Sequence, residues 1–293
     1  VKIGFLGPKA TFTDIAVREM FPKEESVPYA TIPDCFDALS EDEIELAVVP
    51  LENALEGSVN ITLDYLVHEV DLPIIAELTC PIRQHFMVHP ENLDSWKETE
   101  RIYSHSHAIA QCHKFLHKEL KGIPYTNTTS TAAAAQFIKE HPDMKAGAIA
   151  NELAAKEYGL SIVRKDVHDI HYNHTRFIVL SKNEMPLSED GSSFKGYKTT
   201  VMITLPSDRA GALHQVLSAF AWRRLNLSKI ESRPMKTGLG NYFFIIDIDM
   251  KQDEVLIPGV VAELEALDCK VKILGSYPYY QLGLEISKLN TYL

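Results

Sequence analysis

The chain has 293 residues, the length of about two domains. Lysine and arginine number 29 against 40 acidic residues, and the net charge of −11 argues against a general nucleic-acid binder. Hydrophobic residues at 45% and a mean hydropathy of −0.09 are ordinary for a globular protein with a real core and exclude disordered, collagenous and fibrous chains.

Val1, Ile3 and Phe5 alternate with Lys2 and Gly4 and predict a strand, which Gly7-Pro8 turns. Phe12, Ile15, Ala16 and Met20 follow at helical spacing, with Thr11 or Thr13 as N-cap. Leu46–Val49 reads as a short buried strand ended by Pro50, and Val59, Leu63, Leu66, Val67 and Val70 mark one helix face. Ile74–Leu78 and Phe86–Val88 read as strands, Ile109, Cys112, Leu116 and Leu120 as one helix stripe, and Ala132–Ile138 as a further helix. Ala146–Ile149 and Phe177–Leu180 close the series. Strands alternating with helices predict an α/β domain with a mainly parallel sheet, whose ligands sit where strands end and helices begin.

Residues 184–198 are dense in Pro, Gly and Ser and carry no apolar period, the composition of a linker. Beyond it come a strand at Val201–Leu205 and a helix striped by Leu213, Val216, Leu217 and Phe220. Strands at Leu227–Met235 and Tyr242–Met250 are joined through 236–241, and a helix striped by Val260, Leu264 and Leu267 leads to a strand at Cys269–Tyr277. That order, βαββαβ, is the ferredoxin-like pattern.

No apolar run approaches the ~18 residues of a membrane helix, and no secretory signal pattern is legible at Val1–Leu6. The four cysteines, Cys35, Cys80, Cys112 and Cys269, have no CxxC or metal-ligand spacing and read as buried thiols of a reducing compartment, so a cytoplasmic location is expected. His105, His107 and His113 match no standard zinc spacing, Gly4 and Gly7 complete no dinucleotide fingerprint, and neither metal nor cofactor is expected. Neutral polar groups instead gather at strand-to-helix junctions: Thr11 and Thr13, Glu52-Asn53, Ser104–Ser106 with Gln111, Thr128–Thr131, and Asn173–Phe177. Each alone is an ordinary helix cap. Together with one arginine they describe a receptacle for a small organic anion.

At these residues the chain resembles the prephenate dehydratase family. The resemblance rests on Gly7–Thr13, Val49–Asn53 with Glu56–Val59, Ser130–Ala134 and the Thr-Arg-Phe run Thr175-Arg176-Phe177. Gly211-Ala212-Leu213 and Glu231-Ser232-Arg233-Pro234 are similar to the two phenylalanine-binding motifs of that family's ACT regulatory domain. The motifs occur in family order from Val1 to about Tyr280. One departure is Ser104-His105-Ser106-His107 where the family has Ser-His-Pro-Gln, which keeps Ser104 and Gln111 in register and alters the middle.

The resemblance implies a two-lobed, periplasmic-binding-protein-like catalytic domain over 1–183, a linker over 184–198, an ACT domain over 199–280 and a tail over 281–293. It implies dehydration and decarboxylation of prephenate to phenylpyruvate, with L-phenylalanine as effector. Thr175 would assist departure of the hydroxyl. Asn53, Ser104, Gln111, Arg176, Thr11, Thr129 and Ser130 would bind substrate, Arg176 as the carboxylate partner. Gly211, Ala212, Leu213, Glu231, Ser232, Arg233 and Pro234 would bind phenylalanine between subunits of a homodimer or homotetramer. Glu52, acidic beside a dianion, is expected to face away or to pair with a cation. Neither a nucleic acid nor a membrane is an expected partner, and an appended chorismate mutase is not expected, because no all-helical segment of suitable length is legible. Two rival readings are arogenate dehydratase and a non-catalytic small-anion binding protein.

Overall fold

The computed structural model describes residues 1–183, 185, 187, 189, 193–207, 210–235 and 242–283. It divides into two compact units, one holding Val1–Thr62 and Thr79–Phe177, the other Leu63–Leu78 and Ile178–Gln281. Among the described residues no helix is long and apolar enough to cross a membrane.

The first unit opens with β1 (Lys2–Leu6), α1 (Phe12–Met20), β2 (Glu25–Tyr29), α2 (Ile32–Ser40), β3 (Leu46–Asn53), the short β4 (Gly57–Ser58) and α3 (Asn60–Asp64). β1 lies between β2 and β3, parallel to both, because the crossovers α1 and α2 return the chain to the same end of the sheet. Gly7 is required where the chain leaves β1: its N–H donates to Tyr29 O at 2.8 Å, and a Cβ there would sit 2.7 Å from the Pro28 Cβ. Ala10, at φ 64°, holds an unusual left-handed conformation. Asp14 Oδ2 accepts its N–H at 2.6 Å and Asn151 Nδ2 donates to its carbonyl at 2.9 Å, so buried side chains fix this turn.

After β5 (Ile74–Pro81) come β6 (His85–Val88), β7 (Arg101–Ser104), α4 (Ser106–Gln111), α5 (His113–Glu119), β8 (Tyr125–Asn127), α6 (Thr131–Glu140), β9 (Ala146–Ala150), α7 (Glu152–Tyr158), β10 (Ser161–Arg164) and β11 (His174–Leu180). A second sheet of five strands has the order β10-β6-β9-β7-β8. Its faces separate by strand parity: Met87, Tyr103 and Ala148 join one core cluster, Phe86, Ile102 and Ile149 the other. Pairing is mixed. β7 runs parallel to β8 and β9, whereas β6 runs antiparallel to β9 and β10, which corrects the expected mainly parallel sheet. The chain crosses between sheets at 82–84 and returns at 165–173, and the crossings are stitched by Ile82 N–H to Asn173 O at 2.9 Å and Val167 N–H to Gln84 O at 2.8 Å.

The second unit contains β12 (Phe194–Thr204), α8 (Ala212–Trp222), β13 (Leu227–Pro234), β14 (Tyr242–Ile248), α9 (Leu256–Ala266) and β15 (Lys270–Gln281) in the expected βαββαβ order. The strands run β13-β14-β12-β15, antiparallel throughout, over a core that includes Val201, Ile203, Val216, Phe220, Ile246 and Leu264. β5 continues this sheet beside β15, where Gly275 leaves the Ile74 main chain room that a Cβ would take.

Four expected elements differ, the first being β3, which runs through Pro50 to Asn53 rather than ending at that proline. β12 starts at Phe194 rather than after Lys198, because Phe194 and Lys198 already pair with Tyr280 and Tyr277 of β15. The stripe from Ile109 to Leu120 forms two helices that break at Cys112, which leaves helical geometry at φ −116°, ψ 22°. The face from Val59 to Val70 is α3 followed by a π-helical turn at Tyr65–Glu69. The expected connection at 236–241, residues 184, 186, 188 and 190–192 of the expected linker and 284–293 of the expected tail lie outside the described residues.

Candidate active site

A cleft of about 1070 Å³ opens in the first unit. Two helix starts contribute to its wall. Thr11 caps α1, its Oγ1 accepting Asp14 N–H at 3.3 Å, and Ser130 caps α6, its Oγ accepting Ala133 N–H at 3.0 Å. The next residues, Phe12, Thr13 and Thr131, also line the cleft, as does Thr129. First-turn N–H groups have no acceptor inside their own helix, so each start presents donors and a partial positive charge to an anion. Local backbone direction thus supplies a positive field in a chain that is acidic overall.

The ends of β3 and β11 form a second wall. Asn53 Oδ1 accepts the N–H groups of Leu55 and Glu56 at 3.0 and 3.2 Å, which fixes how its amide is turned. Asn53 Nδ2 then donates to Thr175 Oγ1 at 2.9 Å. With Thr175 accepting that bond, its own hydroxyl proton is left for another partner. Thr175 and Phe177 share the cleft face of β11, and Asn173 lies just before them. Asn173 Nδ2 donates to Gln111 Oε1 at 3.0 Å, and Gln111 Nε2 reaches Glu56 Oε1 at 3.5 Å.

His105 and His107 complete the lining from the start of α4. His105 Nδ1 accepts His107 N–H at 3.4 Å, and His107 Nδ1 lies 3.8 Å from Glu56 Oε2. Burial first, and then neighbouring His107, lowers the pKa of His105 from its usual value.

The expected site residues therefore divide. Asn53, Gln111, Thr11, Thr129, Ser130 and Thr175 meet in one cleft. Ser104 does not line it. It is fully buried and its Oγ donates to Ile149 O at 2.7 Å, tying β7 to β9, so the expectation of a substrate contact is corrected. Arg176 is corrected too. Successive strand residues point to opposite faces, so with Thr175 and Phe177 in the cleft Arg176 stands behind it, its Nη1 donating to Glu52 Oε2 at 2.7 Å. Glu52 thus takes a cation as expected. No lysine or arginine is among the cleft-lining residues described, and the lone-guanidinium view of the receptacle gives way to helix starts and amides. Sequence reasoning left Gln84, Glu56, His105 and His107 unassigned as site residues. The Ser-His-Ser-His departure was the signal for the histidines.

In the second unit Gly211 takes φ 85° at the N-cap of α8, a left-handed value that favours glycine. Glu231 pairs with Lys229 at 3.0 Å and with Arg233 at 3.4 Å. Phe243 on β14 is opposite Thr204 at the end of β12 and opposite Arg233 on β13, so both expected motifs belong to the same end of that sheet.

Residues 3–185 match the family model described as prephenate dehydratase, and 199–268 match that of the ACT domain. The prephenate dehydratase of Bacillus subtilis (strain 168) is 58% identical over 285 residues, 96% of this chain and 100% of that protein. The solved structure of prephenate dehydratase in complex with L-Phe from Arthrobacter aurescens is similar at a TM-score of 0.83 and 34% identity, covering 94% of this chain and 90% of that one. A structure described as a novel type of quorum quenching acylase is similar at a TM-score of 0.81 and 27% identity, covering 95% and 98%.

Proposed function

We infer the chemistry from one premise: the chain belongs to the prephenate dehydratase family. Its reaction takes prephenate to phenylpyruvate, water and carbon dioxide, with one proton consumed. The ring carboxylate leaves as carbon dioxide, its bonding pair enters the ring, and the hydroxyl departs from the opposite ring carbon as water. Aromatisation drives the change, so the protein has to hold the dianion, orient the ring and help the oxygen leave.

The observation that carries our assignment of roles is the direction of the Asn53–Thr175 hydrogen bond. It turns the Thr175 proton toward another partner, and we assign that partner as the departing oxygen. A threonine is a weak acid, so Thr175 acts as a hydrogen-bond donor to developing negative charge. The consumed proton reaches the leaving group through water from the His107 and Glu56 side of the cleft. The starts of α1 and α6, with Thr11, Thr129 and Ser130, receive the carboxylates. Asn53 and Gln111 orient the ring and the Thr175 hydroxyl.

An acylase would need a hydroxyl giving its proton to an adjacent base. Among the described contacts none carries the proton of Thr11, Ser130 or Thr175 to a side-chain base, and Thr11 Oγ1 donates its proton to Leu6 O at 3.3 Å. That arrangement favours the elimination.

For the ACT unit we assign L-phenylalanine as effector, the molecule in the Arthrobacter structure. Its polar ends would meet Gly211, Ala212 and Leu213 at the start of α8 and Glu231, Ser232, Arg233 and Pro234 on β13, in a cytoplasmic homodimer or homotetramer. The assigned domains are catalytic over 1–183 and ACT over 199–280. Effector and substrate affinities are then coupled reciprocally. The test is phenylpyruvate formation from prephenate, with and without L-phenylalanine. No turnover by folded protein removes the enzyme reading, and turnover indifferent to phenylalanine removes the effector.

A further inference from the structure

Gln84 lines the cleft and is only 3% exposed, yet its Oε1 is buried without a hydrogen-bond partner. Its main chain is held on both sides. Gln84 N–H donates to His168 Nδ1 at 3.2 Å, and its carbonyl accepts Val167 N–H at 2.8 Å. Folded proteins rarely leave a buried amide oxygen unmatched, because the lost hydration is not replaced. A fixed backbone carrying an unengaged side chain is the arrangement of a contact prepared for a ligand.

Its place along the cleft follows from the two crossings. Ile82 N–H meets Asn173 O, and two residues later Gln84 meets Val167 and His168. The chain from 82 to 84 therefore runs away from Thr175. Counting outward from Thr175, Asn173 comes first and Gln84 lies beyond it. Asn173 also carries a buried oxygen without a partner, Oδ1, while its Nδ2 bonds Gln111.

We propose that Gln84 contacts the side chain that prephenate carries at the end of its ring opposite the hydroxyl, so that the residue at position 84 sets the preference between a 2-oxo acid and a 2-amino acid there. This rests on the dehydratase reading above, with the ring hydroxyl at Thr175. A primary amide can make either contact. Its NH₂ donates to a keto oxygen, and turned about its last torsion its carbonyl accepts from an ammonium. Position 84 thereby sets specificity: glutamine serves either side chain, whereas a charged residue favours one of them.

The experiment measures thermal midpoints and kcat/KM for prephenate and for arogenate, its 2-amino counterpart, in the full chain. Gln84→Leu removes both ends of the amide at similar volume. Its kcat/KM for prephenate falls about tenfold through KM, and its midpoint stays level or rises because the unmatched oxygen is gone. Gln84→Glu offers a carboxylate to an ammonium and opposes the keto acid, so the arogenate-to-prephenate ratio of kcat/KM rises. Unchanged kinetics in Gln84→Leu, with or without a lower midpoint, overturn the inference, as does an unchanged ratio in Gln84→Glu. If the wild-type protein turns over neither substrate, the dehydratase reading falls and takes the inference with it.

Discussion

Arg176 and Glu52 pair at 2.7 Å, and neither is among the residues that line the cleft. The pair is mostly buried, with side-chain exposures of 12% and 27%. It ties β11 to β3 next to Thr175 and Asn53, which do line the cleft. Arg176→Met removes this partner of the Glu52 carboxylate and is expected to lower stability by at most about 3 kcal/mol, the low end for breaking a buried pair. KM for prephenate stays near the wild-type value. Denaturant unfolding and steady-state kinetics on the same preparation decide the matter: a roughly hundredfold rise in KM would mark a direct carboxylate ligand instead.

Thr175→Ala is expected to lower kcat by ~10²–10³-fold, as for loss of one donor to a developing oxyanion. Stability changes by about 1 kcal/mol or less, because the bond lost is the one the hydroxyl accepts from Asn53. Thr175→Ser keeps the donor and most of the turnover. An alanine variant with near-normal kcat would take Thr175 out of the mechanism.

Asn53→Asp separates orientation from shape. The aspartate still accepts the Leu55 and Glu56 N–H groups, so the turn after β3 survives. Its other oxygen has no proton to give Thr175 and instead accepts the threonine proton, drawing it away from the substrate. The expected result is a kcat close to that of Thr175→Ala with a modestly lower thermal midpoint, because the bond Asn53 Nδ2 also donates to His174 O at 3.3 Å is lost. Wild-type kcat in Asn53→Asp would show that hydrogen-bond direction is irrelevant.

Much of this site was legible because its motifs sit at strand ends, where neighbouring strands bring Asn53, Asn173 and Thr175 together. What misled was parity. Thr175 and Arg176 are adjacent in sequence and opposite in space, and Ser104 ends a strand with its hydroxyl turned to Ile149. Gln84 has no motif, and its interest lies in a missing partner that only three dimensions reveal. In the fold, α2 did carry a signal: Ile32, Cys35, Phe36 and Leu39 are all buried at helical spacing, behind a Thr31–Asp34 capping box. β2 carried little, being an edge strand with a proline and no buried position. The long strand from Phe194 was hidden because its first residues follow a linker-like composition and are held by cross-strand aromatics, Phe194 against Tyr280 at 5.9 Å.

The two crossings carry a reciprocal pair of histidine acceptors that makes the fold sensitive to acid. His168 Nδ1 takes Gln84 N–H, and His85 Nδ1 takes Asp166 N–H at 2.9 Å, so both rings serve as neutral acceptors. Burial is the leading cause that lowers both pKa values from 6.5. It outweighs the upward pull of Asp166 and Glu152 on His85 and of the Gln84 hydrogen bond and Asp166 on His168, while His168 and Lys165 act downward on His85, and His171 and Arg83 on His168. With the folded values lowered, the unfolded chain takes up protons first. The stabilisation is present above pH 6.5 and is lost as pH falls from there toward the folded values, by at most about 1.4 kcal/mol per pH unit for each histidine. Unfolding free energies measured from pH 7.5 down to 5.5 should fall more steeply in the wild type than in His85→Asn/His168→Asn, where each asparagine keeps an acceptor that does not titrate. Parallel curves for the two proteins would show that these rings do not set the acid response.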